Sequence, residues 1–269
     1  MPAVRLERTV NAYNTAHASE NKIHNNETAR RFGFAGGLVP GVDVFAYISH
    51  PAVRHWGIDW LRQGRIQARF LKPVYDGEDV DVVASGDAPM RIEVRRGDTV
   101  CGSAEAWPNG DGATIPTSPI PMASLPDERP PASPDSLAAG TVLGTLNLTL
   151  GQDEGRTYLR DVREDQDLYD EGRLAHPGWL LRRANRVLAE TVLLGPWIHV
   201  SSEAQFLGLL YADQPLTVLG QVIDNYERKG HRFVDLDVLM QTDGGQPVMR
   251  VKHTAIYAPR QVTGEAAAE

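Results

Sequence analysis

Ala18-Ser19-Glu20-Asn21-Lys22-Ile23-His24-Asn25-Asn26-Glu27-Thr28-Ala29-Arg30-Arg31-Phe32-Gly33-Phe34, running on to Gly36-Gly37-Leu38-Val39-Pro40-Gly41, is the stretch on which the reading of this chain turns. It opens as a polar loop that carries one carboxamide, Asn21, and one imidazole, His24. Asn26 is a candidate N-cap for a short helix over Glu27 to Phe32, because its side chain can accept from the first free N–H groups of that helix. A Gly-rich turn follows. From Gly41 to Ser49 the apolar residues Val42, Phe45, Ala46 and Ile48 recur at helical spacing, so a helix is expected to begin at Gly41. Pro51 is expected to end or kink it, since proline lacks the N–H that the helix needs and crowds the preceding turn.

Working outward, Ala68-Arg69-Phe70-Leu71-Lys72-Pro73-Val74-Tyr75-Asp76-Gly77-Glu78-Asp79-Val80-Asp81-Val82 aligns without a gap on Ala204-Gln205-Phe206-Leu207-Gly208-Leu209-Leu210-Tyr211-Ala212-Asp213-Gln214-Pro215-Leu216-Thr217-Val218. Ahead of each copy stand a turn and a helical pattern, Leu38 to Val42 in one and Leu174 to Trp179 in the other. Strand-like runs follow each, ending at Ala106-Trp107-Pro108 and Ile256-Tyr257-Ala258-Pro259. A repeat this long is a duplicated domain rather than a solenoid unit. The halves are expected at 1–108 and 140–260, joined by a Pro-rich extended linker over 109–139 that neither helix nor ladder accommodates, with a disordered tail at 261–269. Each half reads as strand, helix, then three or four strands. In the second, Trp179, Leu180, Ala184, Val187 and Leu188 keep the helical period, and Val234 to Met240 alternates as a half-buried strand does. Gly244-Gly245 is a hairpin turn, and the tryptophans at 56, 60, 179 and 197 are expected as core or interface anchors. The class is therefore α+β, with two sheets fused and the helices buried.

Composition narrows the function. With 269 residues and 42% apolar content the chain can bury a large core. Its net charge is -8, with Lys and Arg scattered among acids, so a nucleic-acid partner is not expected. A small anionic ligand fits that balance. The single Cys101 excludes an internal disulfide, and no Cys/His spacing suits a metal, so no metal or cofactor is expected. Met1 to Arg8 contain no apolar signal core and no run is long enough to cross a bilayer, which favours a cytoplasmic, non-membrane protein.

The opening stretch resembles the signature of the MaoC-like, or (R)-specific enoyl-CoA hydratase, family. Asn21, Ile23, His24, Ala29, Gly33, Phe34 and the Gly36 to Gly41 turn fall where that signature has them. The resemblance implies a double hotdog, two tandem units each with a long central helix wrapped by an antiparallel sheet. It also implies an acyl thioester of CoA or acyl carrier protein as substrate, and a homodimer or a pairing with a homologous subunit as the assembly. The family's chemistry uses an Asp and a His on one water. Here Ser19 stands in the place of that Asp, and Glu20, the nearest carboxylate, lies one position closer to His24.

The candidate catalytic residues are His24, Asn21, Ser19 and Glu20. Imidazole alone titrates near neutrality when unperturbed, so His24 can move a proton in either direction. Asn21 would orient the loop or a water. Ser19 offers a hydrogen bond but no base at neutral pH, and Glu20 would serve if the loop were shifted by one residue. Gly41, Val42 and Asp43 are the candidate substrate-binding residues, because a helix start offers unpaired N–H groups to a thioester carbonyl. Pro40 replaces the His that usually precedes this glycine. Asp43 also reads as a helix-start carboxylate favoured by the dipole, or as the water-activating acid of a hotdog thioesterase. His176 is at the like position of the second half and reads as a cap or packing residue. Val162 to Tyr169, where that half would carry the polar loop, has no Asn or His and reads as a solvated acidic segment, so one site per chain is expected. The expected reaction is hydration of a 2-enoyl thioester or dehydration of its 3-hydroxy form. Thioester hydrolysis and a non-catalytic binding subunit are the alternatives.

Overall fold

Alternating apolar residues make the strands, and their pairing makes one sheet from both copies. The structure, a computed structural model, describes residues 5–17, 19–112 and 118–260; Ala18, part of the linker and the 261–269 tail lie outside the described residues. The first half contributes β1 (Arg5–Asn11), α1 (Asn26–Arg31), α2 (Gly41–Trp56), α3 (Ile58–Gln63), β2 (Arg65–Phe70), β3 (Asp79–Ser85), β4 (Met90–Arg96) and β5 (Thr99–Trp107). The second contributes β6 (Leu146–Thr149), α4 (Gln152–Asp161), α5 (Pro177–Thr191), β7 (Ile198–Phe206), β8 (Pro215–Arg228), β9 (His231–Thr242) and β10 (Pro247–Ala258). The sheet runs β1-β3-β4-β5-β2-β7-β10-β9-β8-β6, so the second half repeats the order of the first in reverse from a central seam. That seam is the antiparallel β2–β7 pair, from Arg65 opposite Gln205 to Arg69 opposite Ser201.

The duplication is equally visible in the turns. Leu38 bridges Tyr75 in the first half and Leu174 bridges Tyr211 in the second, at the offset that also separates the starts of α2 and α5. Both helices lie against the sheet and pack on each other, α2 over β2 to β5 and β7, and α5 over β8 and β10. Every residue from Val42 to Val53 is buried, because α2 has the sheet on one side and α5 on the other. On β9 Val234, Leu236, Val238 and Met240 are buried as the alternation predicts, but Asp237 on the opposite face is buried too, paired with Arg250 of β10. The turn at Gly244-Gly245 joins β9 to β10, with Gly245 at φ 72.

Three local readings are corrected. The N-cap of α1 is Asn25, which accepts from the N–H groups of Glu27 (2.9 Å) and Thr28 (3.3 Å). Asn26 instead accepts from Gly37 N–H at 2.7 Å and so closes the Gly-rich turn. Second, α2 continues through Pro51 to Trp56, because Ala52 and Val53 beyond it are held in the core. Third, the linker is docked rather than merely laid over the surface: Pro131 bridges Leu193, and Leu137 is fully buried.

Candidate functional site

The loop between β1 and α1 is shaped by side-chain amides that replace regular backbone pairing. Asn14, itself buried, donates to the His24 carbonyl at 3.1 Å, and its own N–H reaches Asp76 at 2.7 Å. Asn21 clasps the other half of the molecule. Its Nδ2 donates to the Trp197 carbonyl at 3.0 Å, and its Oδ1 accepts from Trp197 N–H at 3.2 Å and from Ile23 N–H at 3.3 Å. The loop is therefore fixed against the entry to β7, and His24 is fixed with it.

His24 Nδ1 lies 2.7 Å from the Leu38 carbonyl. A carbonyl oxygen only accepts, so Nδ1 carries the proton and Nε2 keeps its lone pair. Asn21 Nδ2 is 3.4 Å from that lone pair. Burial holds the His24 pKa below its ordinary 6.5, against the opposing pull of the Leu38 hydrogen bond and of Asp43, while His17 adds to the lowering. At neutral pH the ring is thus an uncharged base.

Two cavities meet at this residue. One, of about 390 Å³, is lined by Ser19, Glu20, Thr15 and a basic rim of Arg129, Arg182 and Arg186. The other, of about 300 Å³, is mainly apolar, with Val44, Phe70, Val74, Ile198 and Ile256 in its walls. Asn21, His24, Pro40, Asn185 and Trp197 line both. Ser19 Oγ accepts from Asn21 N–H at 3.1 Å, and Glu20 is a largely exposed carboxylate 3.1 Å from Arg129.

The start of α2 adds a second kind of group. Pro40 makes no side-chain cap, and the first two N–H groups, of Gly41 and Val42, have no acceptor among the described residues. Gly41 lines the apolar cavity and Val42 the polar one. The matching start of α5 is closed. Pro177 has no N–H, and Gly178 N–H donates to His176 Nδ1 at 3.0 Å. His176 then donates from Nε2 to Glu164 at 3.2 Å, which makes it both cap and packing residue.

Glu164 overturns the reading of Val162 to Tyr169 as a solvated segment. Its carboxylate is buried between His176 and His50, 2.9 Å from His50 Nδ1. Burial alone would raise its pKa, but hydrogen bonds from His176 and His50 outweigh that and hold it below the usual carboxylate range. His50, Glu164 and Asp165 form one group of possible metal donors. Arg8 stands 2.8 Å from His50 Nδ1 and 3.6 Å from Asp165, so a guanidinium already supplies positive charge there.

Asp43 stands in the first turn of α2, as its reading as a helix-start carboxylate has it. It is fully buried, with Oδ1 accepting from Arg182 Nη2 at 2.6 Å and Oδ2 from Thr15 at 2.6 Å. Both oxygens are engaged and it lines neither cavity, so it has no free face with which to bind substrate or activate water. Its work is to anchor Arg182 of α5 to the start of α2.

The resemblance implies that the second half gives a wall of the pocket, but apart from Trp197, expected as an anchor, none of the residues that do so was singled out from the sequence. Arg182, Asn185, Arg186 and Ala189 recur at helical spacing along α5, and all four line the polar cavity. That polar stripe was legible beside the apolar one. Asn185 Oδ1 is buried without a hydrogen-bond partner among the described residues. Trp197, expected as a core or interface anchor, is buried in the core and also lines both cavities.

No protein-family model matches the chain, and no curated protein matches it in sequence. Solved structures do. A protein described as a MaoC domain dehydratase from Chloroflexus aurantiacus is 13% identical, with 96% of this chain and 95% of that one covered at a TM-score of 0.65. A Mycobacterium tuberculosis protein described as having a double hotdog fold is 12% identical, with 94% and 95% covered at 0.61. This chain is a double hotdog. A Lactobacillus plantarum protein described as an oleoyl thioesterase is 11% identical, with 96% of this chain and 98% of that one covered at a TM-score of 0.54. At such identities the likeness is one of fold, as the opening stretch led us to expect.

Proposed function

We propose that this double hotdog is a MaoC-like hydro-lyase that adds water to a 2-enoyl thioester, or removes it from the 3-hydroxy form, at one site per chain. The observation that carries the reading is His24 Nε2, an unprotonated ring nitrogen on the shared wall of a polar and an apolar cavity. In hydration, Nε2 takes a proton from water while the water oxygen bonds to C3. The electron pair of the double bond moves to the thioester oxygen, where the N–H groups of Gly41 and Val42 stabilise the enolate. The imidazolium returns its proton to C2 as the carbonyl re-forms. His24 thereby serves as base and then acid, with the Ser19 hydroxyl as a hydrogen-bond partner for the water in place of a second carboxylate.

The apolar cavity suits the acyl chain, and the basic rim suits the anionic carrier, CoA or acyl carrier protein. The pairs Arg129–Glu20 and Arg186–Glu190 are exposed and exchange easily for phosphate. Hydrolysis is the second reading, kept by Glu20 in the polar cavity; Asp43, with both oxygens engaged, is not its base. One incubation with enoyl-CoAs of several lengths tests the assignment by following the conjugated absorbance and free thiol together. Loss of absorbance without thiol supports hydration. Thiol release transfers the site to hydrolysis, and neither signal leaves a binding subunit that pairs with an active homologue, or a substrate outside the enoyl-CoAs tried.

A further inference from the structure

Behind the start of α2 lies a buried relay from the second half that the reaction above does not use. His199 lines the apolar cavity, and its Nδ1 would lie 2.9 Å from a Cβ placed on Gly41. Glycine at position 41 is thus what lets the ring approach the helix start. His199 Nε2 is 2.8 Å from Ser202 Oγ, which is 3.0 Å from His253 Nδ1. All three residues are buried, His253 completely. His199 Nδ1 and His253 Nε2 have no hydrogen-bond partner among the described residues.

One hydroxyl proton must serve two contacts, so the relay has two neutral arrangements. In one, Ser202 donates to His253 and accepts from His199, which strands an N–H at His253 Nε2 in an apolar interior. In the other, His253 Nδ1–H donates to Ser202 and Ser202 donates to His199 Nε2. That leaves a lone pair at His253 Nε2 and an N–H at His199 Nδ1, beside Gly41 and without a partner among the described residues. Each arrangement leaves one ring N–H without a partner, but His199 lines a cavity and His253 does not, so a carbonyl oxygen bound there would satisfy the donor of the second arrangement and select it. Burial, the largest cause, and the neighbouring His253 hold His199 neutral, against a smaller opposing effect of the Ser201 backbone.

We infer that His199 Nδ1–H, oriented through Ser202 and His253, donates to the substrate's thioester oxygen beside the N–H groups of Gly41 and Val42, so that the half without the polar loop completes the oxyanion site. The inference rests on the thioester reading of that helix start. It makes His199 a catalytic residue, and Ser202 and His253 positioning residues. The same donor discriminates against thioether ligands, which have no carbonyl oxygen to receive it.

The test uses the full-length protein and trans-cinnamoyl-CoA, whose ultraviolet band moves to longer wavelength when its carbonyl is polarised. The wild type should bind it with a red shift. His199→Phe keeps a ring against Phe70 and His253 but has no donor, and should bind with most of the shift lost and turnover of enoyl-CoA lowered on the order of 100-fold. Ser202→Ala, which leaves the His199 ring in place, should lose part of the shift and decides the matter if the His199 variant does not fold. An undiminished shift in a folded His199→Phe protein, or in Ser202→Ala when that protein is the only one to fold, overturns the inference and leaves the thioester reading intact. Failure of the wild type to bind the cinnamoyl thioester of either CoA or acyl carrier protein overturns both.

Discussion

At the scale of single residues, the site's chemistry is set by which nitrogen of His24 is occupied. The Leu38 carbonyl takes Nδ1–H, which leaves Nε2 as base, and burial lowers the ring's pKa. Activity in the hydration direction needs the neutral ring, so kcat/KM should be level at neutral pH and fall only below 6.5, the ordinary histidine value. An acid limb centred above 6.5 would contradict this. Ser19→Asp should preserve or raise hydration, by placing a carboxylate where the resembled family has one, and Glu20→Gln should be nearly silent. A loss of about 100-fold in Glu20→Gln would instead make Glu20 the acid/base group. His24, Asn21 and Ser19 were legible because they lie within one short loop. His199, Ser202 and His253 were not, because only the pairing of β7 with β10, which sets Ser202 opposite His253, brings them together.

At the scale of elements, two copies of one helix have been given opposite ends. Gly41 and Val42 leave α2 open, whereas Pro177 and His176 close α5. The cap also carries load for the buried carboxylate, so His176→Ala leaves Gly178 N–H uncapped and removes one of two histidines from Glu164. We expect that variant to lose about 2 kcal/mol in urea unfolding while enoyl-CoA turnover stays within a few-fold of wild type. A turnover collapse in a protein of unchanged stability would mean that this end also binds substrate. The helices themselves were readable from their apolar period. Glu164 was not: Val162 to Tyr169 looks solvated residue by residue, and what buries its carboxylate is His50, more than a hundred positions earlier.

At the scale of the molecule, the two halves share a seam, a pair of buried helices and both cavities. A fragment of residues 1–115 would expose the face of α2 that α5 covers, and should aggregate or self-pair; a soluble monomer with a cooperative melt would contradict the account. The duplication and the fused sheet were legible in the aligned segments, and so was the polar stripe of α5, while the place of that stripe and of β7 against the loop of the first half is decided only when the halves meet. Buried histidines should also make the whole fold acid-sensitive. His253 is pushed down to about 3 by burial, so below its ordinary 6.5 the unfolded chain takes up a proton that the folded chain refuses. Stability is complete above 6.5 and should decline as pH falls toward 3, by about 1.4 kcal/mol per pH unit for such a group. A melting temperature independent of pH from 6.5 to 5 would contradict this. The claim that both halves build one hydratase site around His24 is tested most directly by turnover of enoyl-CoA in wild type and in folded His24→Ala. The account predicts loss of the conjugated absorbance without thiol release in the first, and a fall of about 100-fold or more in the second. Full activity in His24→Ala on a substrate that the wild type turns over would contradict it.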